Sequence, residues 1–321
     1  MSNIEVVGLG ALNMDCLYKV ERILADGEAV VEEPILSPGG SAANTIYGLA
    51  KLGVNTGFAG IIGSDAEGKM LVQDFERIGV DTSQIRIKQK AETGSALCLS
   101  DRLNFRSIYV TPGANSLLTM DDLDSDYINQ TRVLHISSFA DDRQFKVLLE
   151  LIDKLDPSIK ISFSPGALYA VKGLKILAPI LARTYVLFIN QSEIRQLTGQ
   201  DVPLGAKSCL EQGCHIVVVT LGQGTSWKTV MATSYIRDVE NEYIVEPTNK
   251  STISTLDTTG AGDAFATGFL YGLLEGKGLR ECGELGQIVA QFSITKVGAR
   301  EGLPTLNELF QRYREFYNKE L

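Results

Sequence analysis

The chain has 321 residues, 44% hydrophobic and 21% charged, which is enough apolar material for a sizeable core and excludes a fibrous or disordered polypeptide. Its 30 basic and 39 acidic residues leave a formal charge of -9. With no segregated basic run, that field disfavours nucleic acid and anionic bilayers as partners. The five cysteines, Cys16, Cys98, Cys209, Cys214 and Cys282, are scattered and lack any C-x-x-C spacing. They argue against a disulfide framework or a zinc knuckle and for a reducing, cytoplasmic setting.

The amino terminus, MSNIEVVGLG, has no basic region before its apolar run and carries Glu5 within it. It reads as a buried strand rather than a signal peptide. No apolar stretch reaches the length of a membrane span. From there short β-rich runs alternate with longer amphipathic ones: IEVVGLG, AANTIYGLAKLG, VNTGFAGIIG and AEGKMLVQDFERIG. Gly53 and Gly79 stand where the two helices should stop. The alternation resumes with VLHISS, FKVLLELIDKL, IKISFS, LKILAPILA, TYVLFIN, SEIRQLTG and HIVVVT, and ends in a helix from about Ala261 to Leu274. This rhythm predicts an α/β fold with a doubly wound, mostly parallel sheet. Two stretches break it, at about 16–38 and 93–112, where strand-like runs (CLYKVE, EAVVEEPIL, SALCLS, RSIYV) follow one another without a helix and a turn-like DRLN separates the last two. They are expected to form a small antiparallel β lid on a single domain spanning 1–321. Such a half-exposed sheet needs a cover, either a ligand beneath it or a second copy of the chain; a decorative hairpin is the plainer alternative.

Two glycine patterns are decoys. Gly8-Leu9-Gly10 follows a strand as a dinucleotide fingerprint would, but Asn13 takes the third glycine's place and a strand follows, which weakens an oxidoreductase reading. Gly63 to Lys69 has P-loop spacing, yet Met70 stands where a hydroxyl must hold magnesium, and Asp65 and Glu67 would face the phosphates. Only His135 and His215 are present, each beside an apolar run, so both read as structural.

The segment Asp257-Thr258-Thr259-Gly260-Ala261-Gly262-Asp263 runs straight into the helix AFATGFLYGLL. Glycines let successive amides converge, and the helix adds its positive end, which makes an anion cradle. Asp263 in the first turn is suited to take a proton from an alcohol while the amides stabilise a moving phosphoryl group. A helix cap with glycines for packing is the plainer alternative. In Gly39-Gly40-Ser41-Ala42-Ala43-Asn44, Ser41 is the expected helix cap, the glycines admit a ligand, and Asn44 can grip hydroxyls. Asn13 and Asp15, at the end of the first strand, suit a polyol, although Asp15 could cap a turn. Asn190 and Glu193 follow TYVLFIN and suit magnesium waters or phosphates, with a helix cap as the rival. Thr220, Gly222 and Gly224 form an expected turn after HIVVVT suited to a nucleotide, which turn chemistry alone could also explain. Gly10 to Asp15, Asn190 to Glu193, Thr220 to Gly224 and the Asp257 cradle all follow expected strands, so these four should meet at one sheet edge.

These residues resemble the ribokinase-like, or PfkB, family of carbohydrate kinases over nearly the whole chain. GGSAANTIYGLAKLGVNTGFAGIIGSDAEGK is similar to its first signature and DTTGAGDAFATGFLYGLL to its second. The resemblance implies a doubly wound sheet with a β lid and transfer of the γ-phosphoryl group of ATP, with magnesium, to a hydroxymethyl group of a sugar or nucleoside. It also implies that Asp263 is the base and that the amides of Gly260, Ala261, Gly262 and Asp263 form the anion hole. Asn13, Asp15, Gly39, Gly40 and Asn44 would hold the acceptor; Asn190, Glu193, Thr220, Gly222 and Gly224 would serve ATP, with Glu193 reaching magnesium through water. Asp257, Thr259, Ser293 and Gly298 match the positions at which some members bind a monovalent cation such as K+, and Gly113-Ala114-Asn115 is a further familiar element. Ser41 replaces the lysine common in ribokinases, HISSF lacks their glutamate, and SPG replaces DPG. These departures turn the expected acceptor from ribose toward another uncharged polyol, a nucleoside or free sugar. A sugar-phosphate kinase would need basic residues, for which Arg102 and Arg106 are the candidates, though a solvated hairpin tip explains them better. The alternatives are that kinase and a nucleotide- or sugar-binding sensor without chemistry. Lid pairing makes a homodimer the expected assembly.

Overall fold

The computed structural model describes residues 4–318 except 32, 103–105, 228 and 248–254. Its strands are β1 (Val6–Leu9), β2 (Asn13–Val20), β3 (Ile35–Gly39), β4 (Thr56–Gly63), β5 (Asp81–Lys88), β6 (Gly94–Asp101), β7 (Arg106–Thr111), β8 (Val133–Ser137), β9 (Lys160–Ser164), β10 (Thr184–Asn190), β11 (Ile216–Trp227), β12 (Val230–Arg237) and β13 (Glu242–Val245). Its α-helices are α1 (Ser41–Lys51), α2 (Ala66–Arg77), α3 (Ser125–Ile128), α4 (Asp142–Lys154), α5 (Gly166–Ala170), α6 (Leu174–Leu181), α7 (Gln191–Thr198), α8 (Val202–Glu211), α9 (Ala261–Leu274), α10 (Leu279–Ser293) and α11 (Leu306–Tyr317).

Nine strands form the large sheet in the order β13-β12-β11-β10-β9-β8-β1-β4-β5, parallel except at the β11/β12 and β12/β13 pairs. β1 lies between β4 and β8. The chain builds outward from it in one direction and then in the other, so the switch in winding falls at β1/β8, where an open sheet leaves a crevice beyond its carboxyl ends. Alternation along the strands fills both faces. Val7 and Leu9 join a core with helices α4 to α8, while Val6 joins a second core with α1, α2, α9, α10 and α11.

The small sheet has the order β3-β2-β6-β7. Its outer pairs are antiparallel, as expected, whereas the central β2/β6 pair is parallel, Asn13 facing Gly94 through Val20 facing Asp101. The physical reason is topological: β2 leaves after β1 and β6 after β5, both from the carboxyl edge of the parallel sheet, so both first strands climb the same way. Two boundaries differ from the sequence reading. Asn13 and Asp15 open β2 rather than ending the first strand, because the chain turns at Gly10–Leu12 before pairing in the lid. Of EAVVEEPIL only Ile35 and Leu36 enter a strand, residue 32 lying outside the described residues. The DRLN turn falls partly on residues 103–105, also outside them.

Gly53 and Gly79 follow their helices with φ of 87° and 83°, the left-handed stop the sequence indicated. The false P-loop is closed by its own carboxylate. Asp65 caps α2, accepting from Gly68 N at 2.9 Å and Thr93 N at 2.6 Å. Burial alone would raise its pKa, but these bonds and the Thr93 hydroxyl outweigh that and lower it, so an anion already occupies this helix end. His135 is fully buried with Nδ1 2.8 Å from Ser162 Oγ, and desolvation lowers its pKa to about 3. It is a neutral core residue. His215 lies against the Tyr185 ring. All five cysteines are free thiols. Among the described residues no helix is long and apolar enough to cross a membrane.

Candidate active site

Helices α1 and α9 lie side by side, and small residues let them approach: a Cβ on Gly48 would stand 2.6 Å from Thr267 Oγ1. Thr267 Oγ1 donates to Asp263 O at 2.9 Å and lies 3.3 Å from Thr45 O, fixing the register between the two amino-terminal ends. That register brings Asn44 to Asp263. Asn44 Nδ2 donates to Asp263 Oδ2 at 2.9 Å, and Ser41 Oγ donates to Asp263 Oδ1 at 2.7 Å. Ser41 is therefore not the helix cap; Gly40 occupies that place, and the Ser137 hydroxyl accepts from the first-turn amide of Ala42 at 3.1 Å. A tertiary partner satisfies the helix end and leaves the serine for the carboxylate. Ser137 belongs to the HISSF segment.

Gly260 starts α9 in the left-handed region, φ 73°, where a Cβ would stand 2.4 Å from Ala299 Cβ. Only glycine permits this turn. Ala261 N donates to Thr258 O at 3.2 Å, whereas Gly262 and Asp263 follow it in the first turn, where the helix itself supplies no carbonyl for an amide. A Cβ on Gly262 would meet nothing within 4 Å, so this side of the turn is open.

Across the cleft, Asn13 and Asp15 project from the same face of β2, both buried. Asn13 Oδ1 accepts from Asn115 Nδ2 at 3.0 Å, and Asn115 is itself clamped to both the N–H and the C=O of Leu12. This arrangement turns the Asn13 amide nitrogen outward as a donor. Gly39, the cross-strand partner of Asn13, has its place for a Cβ about 2.2 Å from Asp15 Oδ2, so only glycine leaves room for the carboxylate. Gly40, at φ 100°, would press a Cβ onto Ala11 O. Burial pushes Asp15 up to about 7, the nearby Arg300 guanidinium pulling down and Asp263 pushing up. Burial likewise raises Asp263 to about 6, against the bonds from Asn44 and Ser41 and the charges of Arg106 and Arg300.

Asn190 and Glu193 form a reciprocal cap on α7, Glu193 N donating to Asn190 Oδ1 at 2.9 Å and Asn190 N to Glu193 Oε2 at 3.0 Å. The rival cap reading is thus the geometry found, and it leaves one carboxylate oxygen and the amide nitrogen outside the exchange. Burial raises the Glu193 pKa, with Arg106 among the opposing charges. Asn190 is the direct cross-strand neighbour of Thr220. Thr220, Gly222 and Gly224 do not form a turn after a strand; they lie inside β11, whose pairing with β12 breaks between Thr220 and Thr225. Gly222 and Gly224, at φ 63° and 113°, make this bulge, because left-handed residues cannot keep a ladder.

Asp257, Thr259 and Gly298 come together: Asp257 Oδ1 accepts from Thr259 N and Oγ1, and Oδ2 from Gly298 N at 2.9 Å. Ser293 ends α10 nearby, but its hydroxyl returns to Ala290 O in its own helix. Among the described residues no group of three or more His, Cys, Asp or Glu could cage a metal ion.

Arg106 is exposed, as a solvated tip would be, yet it is also tied to the cradle loop. Its Nη1 donates to Thr258 O at 2.7 Å, joining the lid to the cradle loop, and with Leu17, Ile35, Ile108, Asp257 and Thr259 it lines the gap between them. Its charge opposes the upward pKa shift of both Asp263 and Glu193, so it lies within electrostatic reach of both. Arg102 does stay outside, paired with exposed Glu21. Arg300 belongs to no motif in the sequence, yet it is a buried guanidinium bonded to Asn44, Asp74 and Gly39. An arginine in a loop 256 residues from its partner carries no local signal.

The arrangement combines a carboxylate poised near neutrality, an open helix amino terminus beside it, a polar socket opposite and a lid-borne cation, which are the parts needed to move a phosphoryl group onto an alcohol. The sequence model of the pfkB family of carbohydrate kinases matches residues 3–306. An uncharacterized sugar kinase of Archaeoglobus fulgidus is 38% identical over 260 residues, covering 80% of this chain and 98% of its own length. The ribokinase of Haemophilus influenzae is 27% identical over 94% of this chain and 96% of its own. Among solved structures, a ribokinase from Thermotoga maritima superposes with a TM-score of 0.81 at 25% identity, over 98% of this chain and all of that one. With the family signature spanning nearly its full length, this chain belongs to the pfkB family of carbohydrate kinases.

Proposed function

We propose that the chain, as one domain over 1–321, transfers the γ-phosphoryl group of ATP to a hydroxymethyl group of an uncharged polyol, a nucleoside or a free sugar. The observation that carries this reading is the placement of Asp263: Ser41 and Asn44 hold both its oxygens at the open end of α9, opposite the Asn13–Asp15 socket. The acceptor hydroxyl loses its proton to Asp263 as its oxygen bonds to the γ-phosphorus, and the bond to the bridging oxygen breaks to release ADP. The amides at the start of α9, chiefly Gly262 and Asp263, receive the charge of the transferring group, and Arg106 adds a cation from the lid. Asn13 donates to, and Asp15 and Asn44 orient, the acceptor, which Gly39 and Gly40 admit. Asn190, Glu193, Thr220, Gly222 and Gly224 line the nucleotide side.

One half-buried carboxylate in the first turn of α7, with no multi-carboxylate cage among the described residues, suits magnesium that keeps its waters and is carried largely by phosphates. Glu193 would hold it through water, and when bound it neutralises phosphate charge. A monovalent cation such as K+ would sit by Asp257, Thr259, Ser293 and Gly298. The free thiols suit the cytoplasm, and two lids would meet face to face in a homodimer.

The test is ADP release with ATP, magnesium and panels of nucleosides, free sugars and sugar phosphates, in sodium and in potassium. Acceptor-dependent turnover is expected, with a loss of about a hundredfold to ten-thousandfold in Asp263→Asn. Wild-type turnover in that variant would remove the proposed base. Thermal stabilisation by ligands without turnover would make the chain a sensor instead.

A further inference from the structure

Arg300 is 4% exposed and spends its fork on three elements. Nε donates to Asn44 Oδ1 at 3.0 Å, Nη1 to Asp74 Oδ2 at 2.8 Å, and Nη2 to Gly39 O at 3.3 Å. The plane is held between the rings of Tyr47 and Phe75, each centroid 5.1 Å from Cζ. Asp74 is in turn held on its other oxygen by Arg77. A guanidinium has donors and no acceptor, so whatever side-chain atom of Asn44 faces it must be the oxygen. The nitrogen then has one place left to point, at the Asp263 carboxylate. If the amide turned over, its oxygen would face a carboxylate and its NH2 a guanidinium, two repulsive contacts in a buried site.

We infer that Arg300 is a positioning residue for the proposed base: by fixing the orientation of the Asn44 amide, it fixes the Asp263 carboxylate against the acceptor. The same guanidinium ties the Gly39 carbonyl of the acceptor loop to α1 and α2, so base and acceptor loop share one anchor. It is also a charge. Asp263 feels the charges of Arg300, Arg106 from β7 and Asp15 from β2, and of the two cations Arg300 is the buried one while Arg106 is exposed. Removing Arg300 leaves the Asp15 and Asp263 carboxylates facing each other, with Arg106 as the remaining cation acting on Asp263. This inference rests on the reading of Asp263 as the base.

The experiment compares Arg300→Gln, Arg300→Lys and the double variant Asp74→Asn/Arg300→Gln, the last avoiding an unpaired buried carboxylate if the single change does not fold. Kinetics are measured across pH together with thermal stability, and the Asp263 carboxyl is titrated by ¹³C NMR in aspartate-labelled, ligand-free protein, its signal identified by loss in Asp263→Asn. Arg300→Gln should lower kcat about a hundredfold and move both the acid limb of kcat/KM and the Asp263 titration upward by about one pH unit. Arg300→Lys keeps the charge without the fork, so the limb should return toward wild type while kcat stays low. The double variant should repeat the Arg300→Gln shift. A folded Arg300→Gln or double variant with wild-type kcat and an unmoved Asp263 titration overturns the inference, as does a loss confined to melting temperature. Should the wild type phosphorylate no acceptor, the kinase reading fails, and the carboxyl titration still decides whether Arg300 governs Asp263.

Discussion

At the scale of single residues, Asp263 is held at a cost to the fold. Its carboxyl is raised to about 6 by burial, so between the ordinary carboxylate value near 4 and pH 6 the native state binds more protons than the unfolded chain. Stability therefore falls as pH rises through that window, and the deficit persists at neutral pH. Asp263→Asn, which cannot ionise, should raise the melting temperature at pH 7.5, with the gain shrinking toward pH 4; calorimetry at the two pH values checks it, and equal gains at both would show that charge burial is not the cause. The carboxylate itself was legible in the sequence because it sits in a short contiguous segment. Its partners were legible only in part. Asn44 was singled out as a ligand for hydroxyls and proves also to brace Asp263, while Ser41, expected to cap its helix, donates to the same carboxylate. Local rules assign a serine at a helix start to the nearest backbone amide and contain no term for a second helix packed alongside.

At the scale of elements, the amino end of α9 depends on backbone shape more than on side chains. Gly260 both needs a positive φ and has Ala299 packed onto its open side. Gly260→Ala should destabilise the protein by about 1–3 kcal/mol and abolish most turnover. Gly222→Ala is a control: its φ is also positive, but a Cβ there meets nothing within 4 Å, so only the conformational cost of about 1–2 kcal/mol applies. Urea unfolding of both variants measures the difference, and equal losses would place the whole effect in φ rather than in packing. The strand-then-helix rhythm fixed these elements closely, α9 running from Ala261 to Leu274 as its pattern indicates. From sequence alone the bulge in β11 looks like a turn, since glycines after a β-rich run signal the end of a strand, and only the antiparallel neighbour β12 shows that the strand continues past it.

At the scale of the molecule, the lid has two faces with different duties. One carries Asn13, Asp15 and Leu17 toward the cleft. On the other, Leu36, Cys16, Leu97 and Tyr109 are direct neighbours across all four strands, with Leu36, Leu97 and Tyr109 exposed. A row of this kind is self-complementary under a two-fold axis, which favours a second copy as its cover. Sedimentation at micromolar concentration should give a dimer for the wild type and a monomer for Leu97→Lys. A monomeric wild type would leave the row uncovered and end the proposal. The two excursions were visible as interruptions of a rhythm, but the parallel pairing of their first strands was not, because strand direction within the lid follows from where each excursion leaves the large sheet.

By itself the sequence determined what local physics can encode: alternating hydrophobic periods, glycines at helix stops and the glycine-rich start of α9, each readable within a few residues. The tertiary structure alone decided which distant groups share the cleft. Arg300 meets Asn44 across 256 residues and Arg106 meets Thr258 across 152. Such contacts depend on where packed elements bring side chains in space, and separation along the chain carries no record of that distance.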